Sequence, residues 1–212
     1  NYKAQYIKLD TDAINAANGL KEEVNAQLNA GKTKTTNYVS ILSSCHMYLA
    51  GIDTLSIMID FVEQQSKEGN QKKGITGLFD LLPEANEQNS THIQKSVYIL
   101  ESIGKERWTK GDKLKNSLTQ ASFASMITKS LDLDGDGNIP IEEAKNLTPE
   151  KAESIMNALD QAENSLQTSK EGSSDAKTLK QIQSFKAGIA EQSGASDLEK
   201  IQNYLAAQQT AP

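Results

Sequence analysis

The stretch "YVSILSSCHMYLAGIDTLSIMIDFV", Tyr38 to Val62, decides the fold class. Tyr38, Ile41, Cys45, Tyr48, Ile52, Leu55, Ile59 and Val62 recur at alternating steps of three and four, which lays them along one stripe of a helix. Leu42, Leu49 and Met58 widen the stripe, so the segment reads as the central helix of a bundle, with Thr36 or Asn37 as its N-cap. It has nearly the length of a membrane span, but Ser43, Ser44, His46, Asp53 and Asp60 interrupt it. Carboxylates are costly in hydrocarbon, so the expectation is a buried helix and no transmembrane segment.

The same periodicity extends in both directions. Tyr6, Ile14, Leu20, Val24 and Leu28 suggest an amphipathic N-terminal helix, weakened or bent near Gly19 and ending around Gly31. Pro83 opens another, whose apolar face continues through Ile93, Val97, Leu100 and Ile103 to about Gly104. After Gly111 come Leu114, Leu118, Phe123, Met126, Ile127 and Leu131. Thr148-Pro149-Glu150 offers an N-cap, a proline at the first helical position and an acid in the first turn, ahead of Ala152, Ile155, Leu159, Ala162 and Leu166. Helical spacing returns at Leu179 to Ile189 and at Leu198 to Leu205, and no run alternates like a strand. Gly-, Lys- and Ser-rich links are expected at Ser66 to Gly77, Gly104 to Asp112 and Thr168 to Asp175. The expected architecture is all-α: a single helical domain over 1–212, a bundle of about six to eight helices.

Composition narrows the function classes. With 24% charged and 37% hydrophobic residues over 212 positions, the chain can bury a sizeable core. A net charge of −6, with every basic residue except Arg107 a lysine, disfavours nucleic acid, whose recognition draws on clustered cations and on the guanidinium fork. Cys45 is the only cysteine, so no internal disulfide forms, and one thiol with two histidines is a poor zinc set. The chain starts at Asn1 rather than Met, which raises the expectation of a processed, exported protein.

Chemistry concentrates in "DLDGDGNIPIEE", Asp132 to Glu143. Asp132, Asp134 and Asp136 occupy positions 1, 3 and 5, Gly137 position 6 and Glu143 position 12 of a calcium-loop pattern. A hard cation takes six to eight oxygens, and short Asp side chains on a tight loop can surround it. Gly137 admits the positive φ that reverses the loop. Without an ion, four gathered carboxylates repel one another. These 12 residues resemble the EF-hand family, and with their flanks they form an EF-hand-like module at about 121–147. The resemblance implies Ca²⁺ held by Asp132, Asp134, Asp136, the main-chain carbonyl of Asn138, and Glu143. Ile139 matches the apolar position of the family. Pro140 stands at position 9, where it has no side chain to hold a water, so a weaker site is implied. Phe123, Met126, Ile127 and Leu131 are expected on one face of the entering helix, and Ile141, Ala144 and Leu147 on that of a short exit helix.

A second loop is missing: "LDTDAINAANGLKEE" has Asp10 and Asp12 but lacks the acid and glycine that should follow, so it reads as a helix start. A solitary loop on a helical body points to a structural calcium site. The expected protein is calcium-binding and non-catalytic, not an enzyme, periplasmic or extracellular, with a protein partner. One rival is a calcium sensor acting as a dimer. The other rests on Glu101-Ser102, which resembles the catalytic Glu-Ser of lytic transglycosylases, although "YILESIGKERW" lacks that family's groove motifs. "AGKT" at Ala30 to Thr33 lacks the glycine and strand of a P-loop. Adjacent helix residues diverge by about 100°, so Cys45 and His46 read as a core thiol and its neighbour rather than a nucleophile and base. His92 reads as a surface or capping residue, and Trp108 as a core plug.

Overall fold

The computed structural model describes residues 15–23, 26, 36–52, 82–83, 85–102, 104–167 and 174–208. In chain order it contains α1 (Thr36–Leu49), α2 (Glu87–Glu101), a 3₁₀ turn (Lys105–Arg107), α3 (Lys110–Lys129), α4 (Ile141–Ala144), α5 (Pro149–Leu166), α6 (Ser174–Ala190) and α7 (Asp197–Ala207). Residues 15–23 are also helical, without a break at Gly19, and no strand occurs among the described residues. The expected all-α bundle is the fold found. The expected link at 66–77, the "AGKT" stretch, and Asp10 and Asp12 lie outside the described residues.

Local chemistry sets the helix boundaries. Thr148 accepts a bond from the Lys151 N–H at 3.3 Å and Pro149 follows it, as the sequence implies. Ser196 does the same for α7. Two starts differ from expectation. Pro83 does not open α2; the Asn86 side chain accepts from the Asn89 N–H at 2.8 Å and caps it, because a side-chain acceptor satisfies an end N–H that a proline merely lacks. Thr109 and Asp112 form a reciprocal capping box, so α3 begins ahead of Gly111 and takes up the end of the expected link.

The expected continuous helix from Tyr38 to Val62 is also corrected. α1 stops at Leu49, because the Gly51 N–H bonds the Tyr48 carbonyl and the Ile52 N–H bonds the Met47 carbonyl, with Gly51 at φ 79°. This is a Schellman stop, which places the left-handed residue where glycine has no Cβ to clash. Thr36 and Asn37 both lie inside α1, and residues 53–62 are outside the described ones.

The central position belongs to α3 instead. Asn116, Ser117, Leu118, Thr119, Gln120, Ala121, Ser122, Ala124, Ser125 and Met126 are all buried, so the helix is enclosed on every side. It packs most extensively on α5 and also on α2. Its small side chains let neighbouring backbones come close, and its hydroxyls bond inward: Thr119 Oγ1 to the Lys115 carbonyl at 2.8 Å, Thr128 Oγ1 to the Ala124 carbonyl at 3.0 Å. Asn116 Nδ2 donates to Ser165 Oγ on α5 at 2.9 Å. Across from it, Ala152, Ile155, Ala158, Leu159, Ala162 and Leu166 make the apolar stripe of α5. α6 is clamped to α5 where Lys186 bridges Asp160 at 2.6 Å and Glu163. α7 covers α4, α5 and α6, with Tyr204 edge-on to Phe185 at 5.0 Å between ring centres.

α1 and α2 meet through a polar seam. Ser43 Oγ and Ser96 Oγ lie 2.7 Å apart, and Ser96 Oγ also donates to the Ser43 carbonyl at 3.0 Å. One turn on, His46 Nδ1 and His92 Nδ1 approach to 2.9 Å, so one ring nitrogen carries a proton that the other accepts. Burial first, then the neighbouring His92 and lysines, pushes His46 down to about 4; His92 is also lowered, mainly by burial. Trp108 is buried beside Val39 and Leu100, and its Nε1 donates to the Leu100 carbonyl at 3.2 Å, as expected of a core plug.

Two outcomes follow from this packing. Leu159→Ala, at a fully buried position of α5 in the main core, should cost about 2–5 kcal/mol in urea unfolding. For the histidines, the folded values lie below the unfolded one. Their stabilisation is therefore complete above about pH 6.5 and falls as the pH drops toward about 4, where the unfolded chain holds protons that the folded one does not. For His46 the loss is at most roughly 3 kcal/mol. The melting temperature should fall between pH 7 and 5, and more steeply in the wild type than in His46→Gln.

Candidate metal centre

The acidic loop is suspended between two anchors. Leu131, before it, and Ile139, within it, are buried in the same core as Ala144 and Leu147 beyond it. Phe123 and Ile127 pack half-buried against that core. The exit helix α4 is a single turn, stopped short by the Thr148-Pro149 start of α5, as the sequence implies. Ile141 departs from expectation: at the first position of that one-turn helix it is 37% exposed, at the rim rather than in the core. Leu133, between the first two aspartates, is 68% exposed.

Hydrogen bonds to the chain's own N–H groups shape the loop. Asp132 accepts from the Gly135 N–H (2.8 Å) and, through its other oxygen, from the Gly137 N–H (3.0 Å). Asp134 accepts from the Asp136 N–H (3.1 Å), and Asp136 from the Asn138 N–H (2.7 Å). Bonds from Asn138, its main-chain N–H above all, hold the Asp136 carboxyl below the usual carboxylate range. Gly137 has φ 83°, as its place in the pattern requires, and Gly135 adopts φ 74°.

One oxygen each from Asp132, Asp134 and Asp136 can be chosen so that all lie within 4.8 Å of one another. Together these three can hold a metal ion. Each carboxylate oxygen has two lone pairs, so those that accept an N–H still have one for an ion. Asn138 follows directly on the exposed loop. Glu143, in α4, is not part of this close group, yet its Oε2 is buried with no hydrogen-bond partner. A buried carboxylate oxygen that the chain leaves without a donor is a place where a cation can join. An all-oxygen donor set with one unsatisfied member fits a hard cation better than a soft one.

The other residues singled out by sequence take ordinary places. Cys45 is buried, and burial pushes its thiol up. The His46 ring bonds His92 rather than Cys45, which leaves no nucleophile–base pair there. His92 is not a cap: it sits within α2, 46 positions from its ring partner, a distance that no local pattern signals. Glu101 ends α2, exposed, and accepts from Gln120 Nε2 at 3.3 Å, while Ser102 Oγ donates to the Ile99 carbonyl at 2.7 Å. No protein-family model, curated protein or solved structure matches the chain. The site therefore stands on its own geometry. Among the described residues, no helix is long and apolar enough to cross a membrane.

An added Cβ at Gly137 meets nothing within 4 Å, so the cost of Gly137→Ala is the left-handed backbone alone. It should destabilise the protein by about 1–2 kcal/mol in urea unfolding.

Proposed function

We propose that the chain is a calcium-binding, non-catalytic protein in which an EF-hand-like loop braces the bundle structurally while another surface meets a protein partner. Asp132, Asp134, Asp136, the Asn138 carbonyl and Glu143 would hold the ion, which supplies positive charge where acids gather. The observation that carries this reading is the close approach of the three aspartate oxygens; the orphaned Glu143 Oε2, outside that close group, is a further oxygen without a partner. A bracing role is favoured over a switch because Leu131, Ile139, Ala144 and Leu147 at the loop's ends are already buried. A sensor exposes a groove on binding, and opening these ends would break the main core. Pro140 leaves position 9 without a side-chain ligand, which suits the weak affinities of extracellular modules and supports a periplasmic or extracellular setting. Exposed Tyr98 and Leu133 are apolar side chains available to a partner.

Calcium titration by calorimetry, paired with melting in chelator and in calcium, tests the proposal. One ion per chain should bind, and at a free concentration 100 times Kd the fold should gain about 2.7 kcal/mol. Glu143→Gln should reduce that gain. No heat of binding, with the same melting temperature in chelator and in calcium, overturns the reading. Calcium-driven dimerisation seen by light scattering would favour the sensor instead.

A further inference from the structure

Away from the acidic loop, a cavity of about 630 Å³ opens between the helical stretch 15–23, α1 and α3. That volume lies within the range of small-molecule sites, roughly 300–1,000 Å³. Its walls are mostly apolar: Ala16, Ala17 and Leu20 on one side, Ile41, Cys45 and Tyr48 on the other. Leu20 and Ile41 stand 48% and 43% exposed, high for large aliphatic side chains facing one cavity.

A single cation interrupts this wall. Lys115 projects from α3, and its Nζ donates to the Ser40 carbonyl at 3.0 Å and to Ser40 Oγ at 2.6 Å. These bonds use two of its three donors. None of the ion pairs among the described residues includes Lys115. The Asp112 carboxylate, whose charge it feels, accepts from the Thr109 N–H and hydroxyl and is also held by the Ser40 hydroxyl that Lys115 bonds, so it is one residue removed from the ammonium. Burial lowers the affinity of Lys115 for its proton, and an anion beside it would restore it.

We propose that this cavity binds an aliphatic monocarboxylate, a medium-chain fatty acid, with its carboxylate at the Lys115 ammonium and its tail against Ala17, Leu20, Ile41 and Tyr48. The charge count selects the head group. Lys115 is the cation in the wall and Lys21 acts on Cys45 from nearby, while the Asp112 carboxylate beside Ser40 opposes any anion and a phosphate dianion more than a monocarboxylate, which favours the single charge. The proposal is independent of calcium and goes beyond the reading above.

The test is calorimetric titration of the full chain with decanoate, decylamine and decanol, each below its aggregation threshold. Decanoate should bind once per chain and at least tenfold more tightly than the other two. Lys115→Met should bring decanoate down to the level of decanol. Leu20→Glu, at a half-exposed position that leaves the fold intact, should weaken decanoate about tenfold or more by placing a like charge on the wall, and it decides the matter if Lys115→Met fails to fold. Equal affinity for decanol and decanoate, unchanged binding in Leu20→Glu, or no binding of decanoate up to millimolar concentration overturns the proposal.

Discussion

The constraint on which the molecule rests is the enclosure of α3. A helix buried on every side would ordinarily be uniformly apolar, yet this one carries serine, threonine, asparagine and glutamine at its closest contacts. Such residues are tolerated because their hydroxyls can satisfy themselves on the helix's own carbonyls, as Thr119 and Thr128 do, and because Asn116 reaches Ser165 across the contact. Small polar side chains thus serve as spacers where α3 meets α5 and α2, and large apolar side chains come from the α5 stripe and from Leu118 and Met126 of α3 itself. Ser117 Oγ and Ser125 Oγ remain buried without partners, so the arrangement tolerates a desolvation cost for the sake of close approach.

α3 also governs the charged regions. Its last turn delivers Leu131 into the core, so the chain must leave directly into the acidic loop, and the burial of Ile139, Ala144 and Leu147 forces it back within a few residues. The aspartates are therefore brought together by packing that occurs beneath them. At the opposite end the capping box of Thr109 and Asp112 fixes the first turn, which sets where Lys115 leaves the helix toward α1. One element thus positions a concentration of negative charge at one end and, near the other, the Lys115 ammonium with Asp112 close by.

Much of this was legible in the sequence where stripes and caps coincide. The α5 start at Thr148-Pro149, its buried stripe from Ala152 to Leu166, and the two terminal helices match their pattern because each has an apolar face with a polar opposite. The three aspartates were legible for a different reason: their ligand-like spacing does not depend on tertiary context. What failed was periodicity that ran through a glycine. Tyr38 to Val62 keeps its stripe through Gly51, and the Schellman stop there is set by backbone conformation rather than by side-chain spacing. The identity of the central helix was hidden because α3 is buried through small size, a property that hydrophobic patterns do not score. The His46–His92 contact and the Lys115 cavity join residues distant in sequence, and no short motif encodes either.

A helix held by small side chains has an unusual freedom and an unusual restriction. Exchange between alanine and serine at its contacts alters polarity but barely alters volume, whereas enlargement to leucine or phenylalanine would push α5 and α2 apart. The small positions of 116–125, those other than Leu118, Gln120 and Phe123, therefore admit only compact side chains if α5 and α2 are to keep their places.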